Sequence, residues 1–161
     1  MEKLLRHVYS SKKISLALKI ISHACSLICV GIFILTLVDL YLDAARLCVK
    51  AAFAAGIPFL AVSIVRKIIG APRPYELYEF YEVKPKGKAG QSFPSRHVFS
   101  AFIIASLAIC TSPWLSLAAA LLGTALAVSR VLLGMHFIRD VLAGALIGII
   151  CGTLGILILI F

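Results

Sequence analysis

The sequence predicts an all-α integral membrane protein, a helical bundle of about five transmembrane helices preceded by a short interfacial helix. Two features of the composition support this fold class. Hydrophobic residues make up 61% of the 161 residues, and the mean hydropathy is +1.05, which is far outside the range of soluble domains. A chain of this length corresponds to one domain, so we expect residues 1–161 to form a single membrane domain.

The formal net charge of +9 bears on the partners of the protein. In a soluble chain such a charge would suggest nucleic acid. In so apolar a chain it is better explained by the positive-inside rule, by attraction to anionic headgroups and by an anionic substrate. We therefore expect the bilayer and a lipid phosphate as partners, and no nucleic acid. The sequence leaves open whether the protein forms a homo-oligomer.

The five cysteines are odd in number, show no paired ligand spacing and lie in or beside apolar segments. We interpret them as small buried apolar side chains rather than as a disulfide framework or a zinc site. They are Cys25, Cys29, Cys48, Cys110 and Cys151.

The first two predicted spans follow a basic, mildly amphipathic segment at residues 1–13. This segment precedes an apolar stretch too long for the core of a signal peptide, so we expect it to be retained as a helix on the membrane surface. The apolar residues 14–40 are long enough to cross the bilayer once. A polar turn then leads into the second span at residues 51–65.

Residues 98–128 form a stretch of 31 residues without a charge. One helix of that length would measure about 46 Å, against a hydrocarbon core of about 30 Å, so a single crossing is too few. Ser112 and Pro113 supply a break, because proline begins a helix well and interrupts one. The sequence therefore predicts three further spans, at residues 96–111, 113–133 and 137–161.

The only long polar stretch of the sequence covers residues 70–95, between the second and third spans. A loop of this length within a compact protein is usually functional, so we predict that it bears part of the site. Its aromatic residues are typical of an interfacial belt. We interpret its alternating lysines as a solvated patch near the headgroups. A role of these lysines in binding substrate is left open. These lysines are Lys84, Lys86 and Lys88.

Three ionisable residues stand at fixed intervals around the start of the last span. His136 and Asp140 are four residues apart, so on a helix they share a face, and the carboxylate can orient one ring nitrogen while the other remains free to react. Arg130 offers a planar fork of donors suited to phosphate. Ionisable groups are costly to keep in apolar surroundings, which predicts a functional site here.

Five spans place residues 66–97 and residues 130–140 on the same side of the membrane, because two spans separate them. Pro94 and Ser95 begin an apolar helix, and helix N-termini bind anions. Several cations around one pocket, without a second set of acidic ligands, favour handling of phosphate without a metal, and we predict no metal and no cofactor. The candidate phosphate-binding residues are Arg66, Lys67, Arg73, Ser95, Arg96 and Arg130.

Two histidines can divide the labour of phosphoryl transfer. We predict that His136, backed by Asp140, attacks phosphorus and carries the phosphoryl group, and that His97 protonates the leaving oxygen and later activates water. The alternative is that each of these residues only caps a helix or sets topology. That alternative is weak for the whole set, since all of its members fall on one face of the membrane.

Three sequence blocks resemble the signature of the type 2 phosphatidic acid phosphatase superfamily, whose soluble relatives include bacterial acid phosphatases and vanadium haloperoxidases. The signature reads Lys-x6-Arg-Pro, then Pro-Ser-Gly-His, then Ser-Arg-x5-His-x3-Asp. The third block matches in full, at Ser129, Arg130, His136 and Asp140.

The other two blocks match with one departure each. The second keeps its proline, serine and histidine but has Arg96 in place of glycine. The first keeps Arg73 and Pro74 and has Arg66 where the pattern has lysine, with Lys67 one residue out of register. Both departures keep or add positive charge.

The resemblance implies a helical-bundle phosphatase that acts on a lipid through a phosphohistidine and without a metal. The implied substrates are polyprenyl phosphates or diphosphates and glycerophospholipid phosphates such as phosphatidylglycerophosphate or phosphatidic acid. Two alternatives are kept: a non-catalytic protein that binds or transports anionic lipids, and haloperoxidase-like chemistry in the same pocket.

The remaining basic residues predict which side of the membrane bears the site. Family members commonly have six spans with the site facing away from the cytoplasm, whereas this chain is expected to have five. The positive-inside rule assigns the more basic side to the cytoplasm. We therefore expect a multi-pass protein of the cell membrane with its active site on the cytoplasmic face. The site-bearing side carries Lys3, Arg6, Lys12, Lys13, Lys84, Lys86, Lys88 and Arg139, against Arg46 and Lys50 on the other side.

Overall fold

The structure is a computed structural model that describes residues 2–80 and 89–160. These described residues form helices and no strands, which confirms the prediction of an all-α fold. The predicted lysine patch at Lys84, Lys86 and Lys88 lies outside the described residues. The helices are α1 (Glu2–Ser10), α2 (Lys12–Asp43), α3 (Ala45–Ile69), α4 (Pro74–Leu77), α5 (Arg96–Ala108), α6 (Pro113–Leu132) and α7 (Ile138–Ile160).

Four segments are long and apolar enough to cross a membrane, which confirms the prediction of a helical membrane bundle. They are Lys12–Asp43, Ala45–Leu77, Pro113–Leu132 and Ile138–Ile160. The span predicted at residues 96–111 is shorter than expected. The helix there, α5, has 13 residues. Its length of about 20 Å falls short of a hydrocarbon core of about 30 Å.

Helix α5 lies at the centre of the bundle and contacts α2, α3, α6 and α7. Apolar side chains from Val98 to Ala108 are buried all around it, and Phe99 and Leu107 are completely enclosed. A helix that is apolar on all sides is expected to be buried in this way. The four longer helices carry their large exposed hydrophobic side chains, such as Leu60 and Leu142, on the outer surface of the bundle.

Glycines on one face of α7 allow α5 to approach it closely. A Cβ atom added at Gly144 would lie 2.5 Å from the carbonyl oxygen of Ser95, and one at Gly148 would lie 2.6 Å from that of Phe99. Real Cβ atoms do not come so near, so these positions need glycine. Small residues spaced by four let helix backbones pack tightly, and here they bring the start of α5 against the first turns of α7.

The ends of α6 explain how the chain turns back at both faces of the bundle. As predicted, the break falls at Ser112 and Pro113, where the serine hydroxyl accepts a bond from the backbone N–H of Leu115 at 3.4 Å. At the other end the chain reverses at Gly134, which adopts a left-handed φ of 67°. The N–H of the next residue donates to the carbonyl of Arg130 at 3.0 Å. This is the hydrogen-bond pattern of a Schellman motif, and it aims residues 135–140 back at the site.

The predicted N-terminal helix is present as α1, which buries Leu5 and Val8 against the bundle. Its opposite side contacts the segment after α4, where the Arg6 guanidinium lies 5.3 Å from the ring centroid of Phe80. The segment predicted as one loop at residues 70–95 contains the four-residue helix α4.

The cysteines behave as expected only in part. Cys25 and Cys29 are buried, and Cys48 and Cys151 are half-buried. Cys110 is exposed, so our interpretation of it as a buried side chain is wrong. It lies in the turn between α5 and α6, where the helix has already ended and no neighbouring element covers the side chain.

Candidate active site

One end of the bundle collects most of the residues that the sequence singled out. The end of α3, the segment before α5, the end of α6 and the start of α7 all meet there. The buried members of the group are held by different elements, so no single helix makes the site. Those members are Arg66, Arg73, Ser95, Ser129, His136 and Asp140.

His136 and Asp140 form the centre of this group. The ring nitrogen Nδ1 lies 3.7 Å from the carboxylate oxygen Oδ2, an ion-pair distance that is too long for a direct hydrogen bond. The hydroxyl of Ser92 fills the gap: it donates to the same Oδ2, and its oxygen lies 3.4 Å from Nδ1. The carboxylate therefore reaches the imidazole both directly, through its charge, and through this serine, and Nε2 makes no hydrogen bond with the described residues.

Asp140 lies in the first turn of α7, and hydrogen bonds at this end of the helix fix its position. Its Oδ2 accepts a hydrogen bond from the backbone N–H of Phe137 at 2.9 Å, as an acidic side chain in the first turn of a helix often does. Its own carbonyl accepts from the N–H of Ser95 at 2.9 Å. The residue thus joins α7 to the segment that begins α5.

Burial sets the protonation state of His136. The side chain is 2% exposed, and this burial lowers the pKa of His136 below its ordinary value, while the nearby carboxylate of Asp140 opposes the shift. Burial outweighs the carboxylate because the neighbouring arginines also disfavour a second positive charge. The imidazole is therefore neutral at neutral pH, which is the form that can attack an electrophile.

His97 lies in the first turn of α5 and faces the same site. Its charge interacts with those of Arg130 and His136, so the two histidines share one region of the molecule. The side chain also lines a cleft that opens beside α5. The His97 side chain is exposed, whereas that of His136 is buried.

Two arginines approach the same loop from the α3 side. Arg66 donates to the carbonyl oxygen of Pro94 at 2.5 Å and to that of Gln91. Arg73 reaches the Gln91 carbonyl at 3.4 Å. Lys67 is exposed on the neighbouring position of the helix, so the structure turns Arg66 inward and does not bring Lys67 into the site.

Several buried polar atoms near these arginines have no hydrogen-bond partner among the described residues. The donors among them are Nε of Arg73, Nε of Arg130 and the hydroxyls of Ser95 and Tyr75; one acceptor, Oδ1 of Asp140, is also without a hydrogen bond. Buried polar groups are nearly always satisfied, so an unsatisfied set that converges on one place is expected to meet a polar ligand. Guanidinium N–H groups and a hydroxyl are donors that suit the oxygens of a phosphate.

Arg96 takes a different direction from the other arginines. Its guanidinium lies 5.2 Å from the ring centroid of Phe59, and one of its nitrogens is 3.4 Å from the hydroxyl of Ser63. Both partners belong to α3. The residue borders the site, next to His97, and points along α3 rather than at the buried pair.

Metal ligands are poorly represented in this region. Within residues 2–80 and 89–160, no group of three or more histidine, cysteine, aspartate or glutamate side chains lies close enough together to hold a metal ion. The donors that converge on the site are mainly guanidinium groups, which repel cations.

Sequence reasoning missed two residues that shape the site. Ser92 is completely buried between His136 and Asp140, and the carbonyl of Gln91 accepts from two arginines. Ser92 stands two positions before Pro94 and so lies outside the matched block. A backbone carbonyl has no signature in a sequence at all. The signal in the sequence that could have found Ser92 is a serine two positions before a matched block.

Comparison with known proteins identifies the family. The model of the PAP2 superfamily, the type 2 phosphatidic acid phosphatases, matches residues 44–160. A lipid A 1-phosphatase from Porphyromonas gingivalis is 39% identical over 82 residues, which are 48% of this chain and 18% of that protein. The matched region is therefore a small part of that relative.

Two solved structures share the fold. The crystal structure of Aquifex aeolicus LpxE gives a TM-score of 0.70 at 22% identity, over 96% of this chain and 93% of that one. The first transmembrane PAP2-type phosphatidylglycerolphosphate phosphatase from Bacillus subtilis gives 0.54 at 21% identity, over 94% and 88% of the two chains. Because the family match covers most of the sequence, the resemblance found in the three blocks is confirmed: this chain belongs to the PAP2 superfamily.

Proposed function

We propose that this protein is a membrane phosphatase that removes a phosphate group from a lipid through a covalent phosphohistidine. The observation that carries the proposal is the setting of His136. Its Nδ1 side is occupied by Ser92 and Asp140, and the positive charges of Arg73 and Arg66 act on the ring. A neutral, oriented imidazole beside fixed positive charge is suited to attack phosphorus.

The reaction runs in two steps. In the first, Nε2 of His136 attacks phosphorus, the bond between phosphorus and the leaving oxygen breaks, and His97 gives that oxygen a proton. In the second, water attacks the phosphohistidine, gives a proton to His97, and the bond between phosphorus and nitrogen breaks. The sum consumes one water and releases inorganic phosphate together with the dephosphorylated lipid.

The arginines support both steps by binding the phosphate oxygens. Arg66, Arg73 and Arg130 carry fixed charge, and the unsatisfied N–H groups of the latter two have room for new acceptors. The Ser95 hydroxyl adds a neutral donor. This donor set stabilises an oxyanion without a metal, so we propose a metal-independent reaction.

Two features support a lipid as the substrate. The site lies at the ends of helices whose outer surfaces are apolar, so a substrate can keep its tail in the bilayer and present its phosphate at headgroup depth. The names of the related lipid A 1-phosphatase and phosphatidylglycerolphosphate phosphatase both refer to lipid phosphates. The candidate substrates are polyprenyl phosphates or diphosphates, phosphatidylglycerophosphate and phosphatidic acid.

Phosphate release from these lipids by the purified protein in micelles tests the proposal. We expect turnover with and without a chelator, no turnover by His136→Ala, and an acid-labile phosphoenzyme that disappears in the same variant. The exposed Arg46 at the far end of α3 provides a matched control, since Arg46→Gln should retain full activity. Unchanged turnover by His136→Ala would overturn the covalent mechanism, whereas binding without any turnover would favour a non-catalytic lipid-binding protein.

We also propose that the protein lies in the cell membrane with its site on the cytoplasmic face. The excess of basic residues on the site-bearing side supports this orientation. The exposed Cys110 lies in the turn between α5 and α6, at the opposite end of α5 from His97, and offers a natural probe. An impermeant thiol reagent should label Cys110 of the wild type in intact cells. A Lys86→Cys variant that also carries Cys110→Ser should be labelled only after permeabilisation. The reverse pattern would place the site outside.

A further inference from the structure

The direction of Arg96 suggests a role apart from the phosphate pocket. Its partners Ser63 and Phe59 lie on α3, about one and two turns before Arg66. The charge of Arg96 therefore lies deeper along the bundle than the charge of Arg66. Within residues 2–80 and 89–160, no carboxylate lies within ion-pair distance of it. This cation is held in place by an aromatic face and a hydroxyl, and its charge is not neutralised.

A cleft begins where Arg96 and His97 meet. It has a cavity volume of about 200 Å³ and lies among α2, α3, α5 and α6. Apart from these two residues at its polar end, it is lined mainly by apolar and small side chains, among them Val30, Phe59 and Leu126. One end of the cleft therefore suits an anion, and the remainder suits part of a hydrocarbon chain.

The order of groups along this path matches the order of atoms in one kind of substrate. In the proposed reaction His97 protonates the leaving oxygen, so the leaving group lies on the side of His97 that faces away from His136. Arg96 lines the cleft beside His97, and the lining residues farther along α5, such as Ala101 and Ile104, are apolar. A leaving group that carries a charge close to the broken bond, followed by an apolar chain, would meet both in sequence.

We propose that Arg96 and the adjoining cleft form a subsite for a phosphate carried by the leaving group, so that the substrate is a lipid diphosphate. This inference rests on the proposed phosphatase function and adds the identity of the leaving group. The terminal phosphate occupies the pocket at His136, and the phosphate next to the chain accepts hydrogen bonds from Arg96. Hydrolysis then breaks the bond between the terminal phosphorus and the bridging oxygen, which receives the proton from His97 and remains on the lipid monophosphate product.

A neutral alcohol as leaving group fits the same path less well. It would place uncharged atoms beside the Arg96 guanidinium, whose charge no carboxylate neutralises. Binding would then desolvate this charge without replacing the hydrogen bonds that it makes to water. Glycine at this position, as in the family signature, would leave the same space open and uncharged. The arginine thus makes the mouth of the cleft selective for an anion.

Comparing two lipids of identical chain tests the subsite. We would measure kcat/KM for a prenyl diphosphate and for the corresponding prenyl monophosphate, with the wild type, Arg96→Gln and Arg96→Lys. Loss of one charge-assisted contact should lower the value for the diphosphate by about 10- to 100-fold in Arg96→Gln and by much less in Arg96→Lys, with the monophosphate changed by less than about threefold. Phe59→Leu, which removes the ring under the guanidinium, should give a smaller loss of the same kind.

Other outcomes separate the two proposals. Equal losses for both lipids would mean that Arg96 contacts the phosphate that is cleaved, and would overturn the subsite while leaving the phosphatase intact. Wild-type preference for the monophosphate, or for phosphatidylglycerophosphate, whose second phosphate is separated by glycerol, would overturn it as well. If neither lipid is hydrolysed, binding of the same two lipids in micelles still reports on Arg96: a preference for the diphosphate that Arg96→Gln abolishes supports the subsite, and equal binding overturns it.

Discussion

The hydroxyl oxygen of Ser92 lies 3.4 Å from Nδ1 of His136 and donates its proton to Asp140. Because that proton is committed to the carboxylate, the serine oxygen faces the imidazole as an acceptor, and the ring carries its own proton on Nδ1. The free electron pair then lies on Nε2. In the proposed mechanism, this is the tautomer that attacks phosphorus.

Replacing Ser92 tests this relay. We expect Ser92→Ala to lower kcat by about 10- to 100-fold with little change in KM, because the imidazole loses its orientation. In this variant the Asp140 carboxylate also loses a hydrogen-bond donor and stabilises the protonated form of His136 more strongly. The pKa of His136 should therefore rise, and the acidic limb of the pH profile should move to higher pH. Ser92→Thr keeps the hydroxyl and should retain most of the activity. Equal losses in both variants, with no shift of the profile, would indicate packing alone.

The pH dependence of the wild type follows from the burial of His136. Burial lowers the pKa of His136 below its ordinary value of about 6.5, so the reactive neutral form persists as the pH falls through 6.5. Activity should therefore hold at mildly acidic pH and decline only as the pH passes through the lowered pKa. A profile of kcat/KM against pH measures this limb. A midpoint above 6.5 would contradict the assignment.

His97 should show its role through the leaving group. We expect His97→Gln to lower turnover of a lipid monophosphate, whose alkoxide leaving group needs a proton, by about 10²- to 10⁴-fold, the usual contribution of a general acid. An aryl phosphate, whose leaving oxygen needs no proton, should lose far less in the first step, and the phosphoenzyme should accumulate because water is no longer activated. A uniform loss across both kinds of substrate would argue against an acid/base role.

Arg66 and Lys67 offer a paired test of which residue serves the first motif. Arg66→Ala removes donors to two carbonyls of the loop before α5. Activity should fall by about tenfold or more, and the midpoint of thermal unfolding should fall as well. Lys67→Ala, on the exposed side of the helix, should leave both quantities unchanged. The opposite ranking in either measurement would show that the lysine is the functional cation.

Gly144 should tolerate no side chain. A Cβ atom there would come 2.5 Å from the Ser95 carbonyl oxygen, which is backbone and cannot rotate away. Gly144→Ala should therefore destabilise the protein by about 1–3 kcal/mol and lower activity, since α5 is pushed from α7. Gly31 has open space around it, so Gly31→Ala is the control and should be neutral or slightly stabilising. Thermal unfolding in detergent measures both.

Local rules were sufficient to predict most of the helices. The first span expected at residues 14–40 lies within α2, and the break at Ser112 and Pro113 falls where proline chemistry requires it. The end of α5 was harder to predict, because the apolar sequence continues beyond the residue at which the helix ends. The N–H groups of residues 110 and 111 bond three residues back, and the chain turns there.

The site shows a similar division between local and long-range information. The spacing of four residues was enough to pair His136 with Asp140, but the expected shared helix face is wrong, because His136 lies in the turn before α7 and only Asp140 lies in the helix. The choice of Arg66 over Lys67 depends on how α3 is rotated against its neighbours, which a one-residue shift in a motif does not reveal. Ser92 is separated by 44 residues from the histidine that it contacts, so only the packing of α5 on α7 brings them together. The catalytic roles of these residues stay predictions.

The tight seam between α5 and α7 has a consequence for biosynthesis. Helix α7 follows α5 in the chain and supplies Asp140, and its Gly144 and Gly148 lie against the Ser95 and Phe99 carbonyls at the start of α5. A nascent chain that ends before α7 already contains His97 and its arginines but lacks the acid that completes the nucleophile. We therefore expect activity only after α7 has been made and has entered the bilayer, so a product truncated before α7 should be inert.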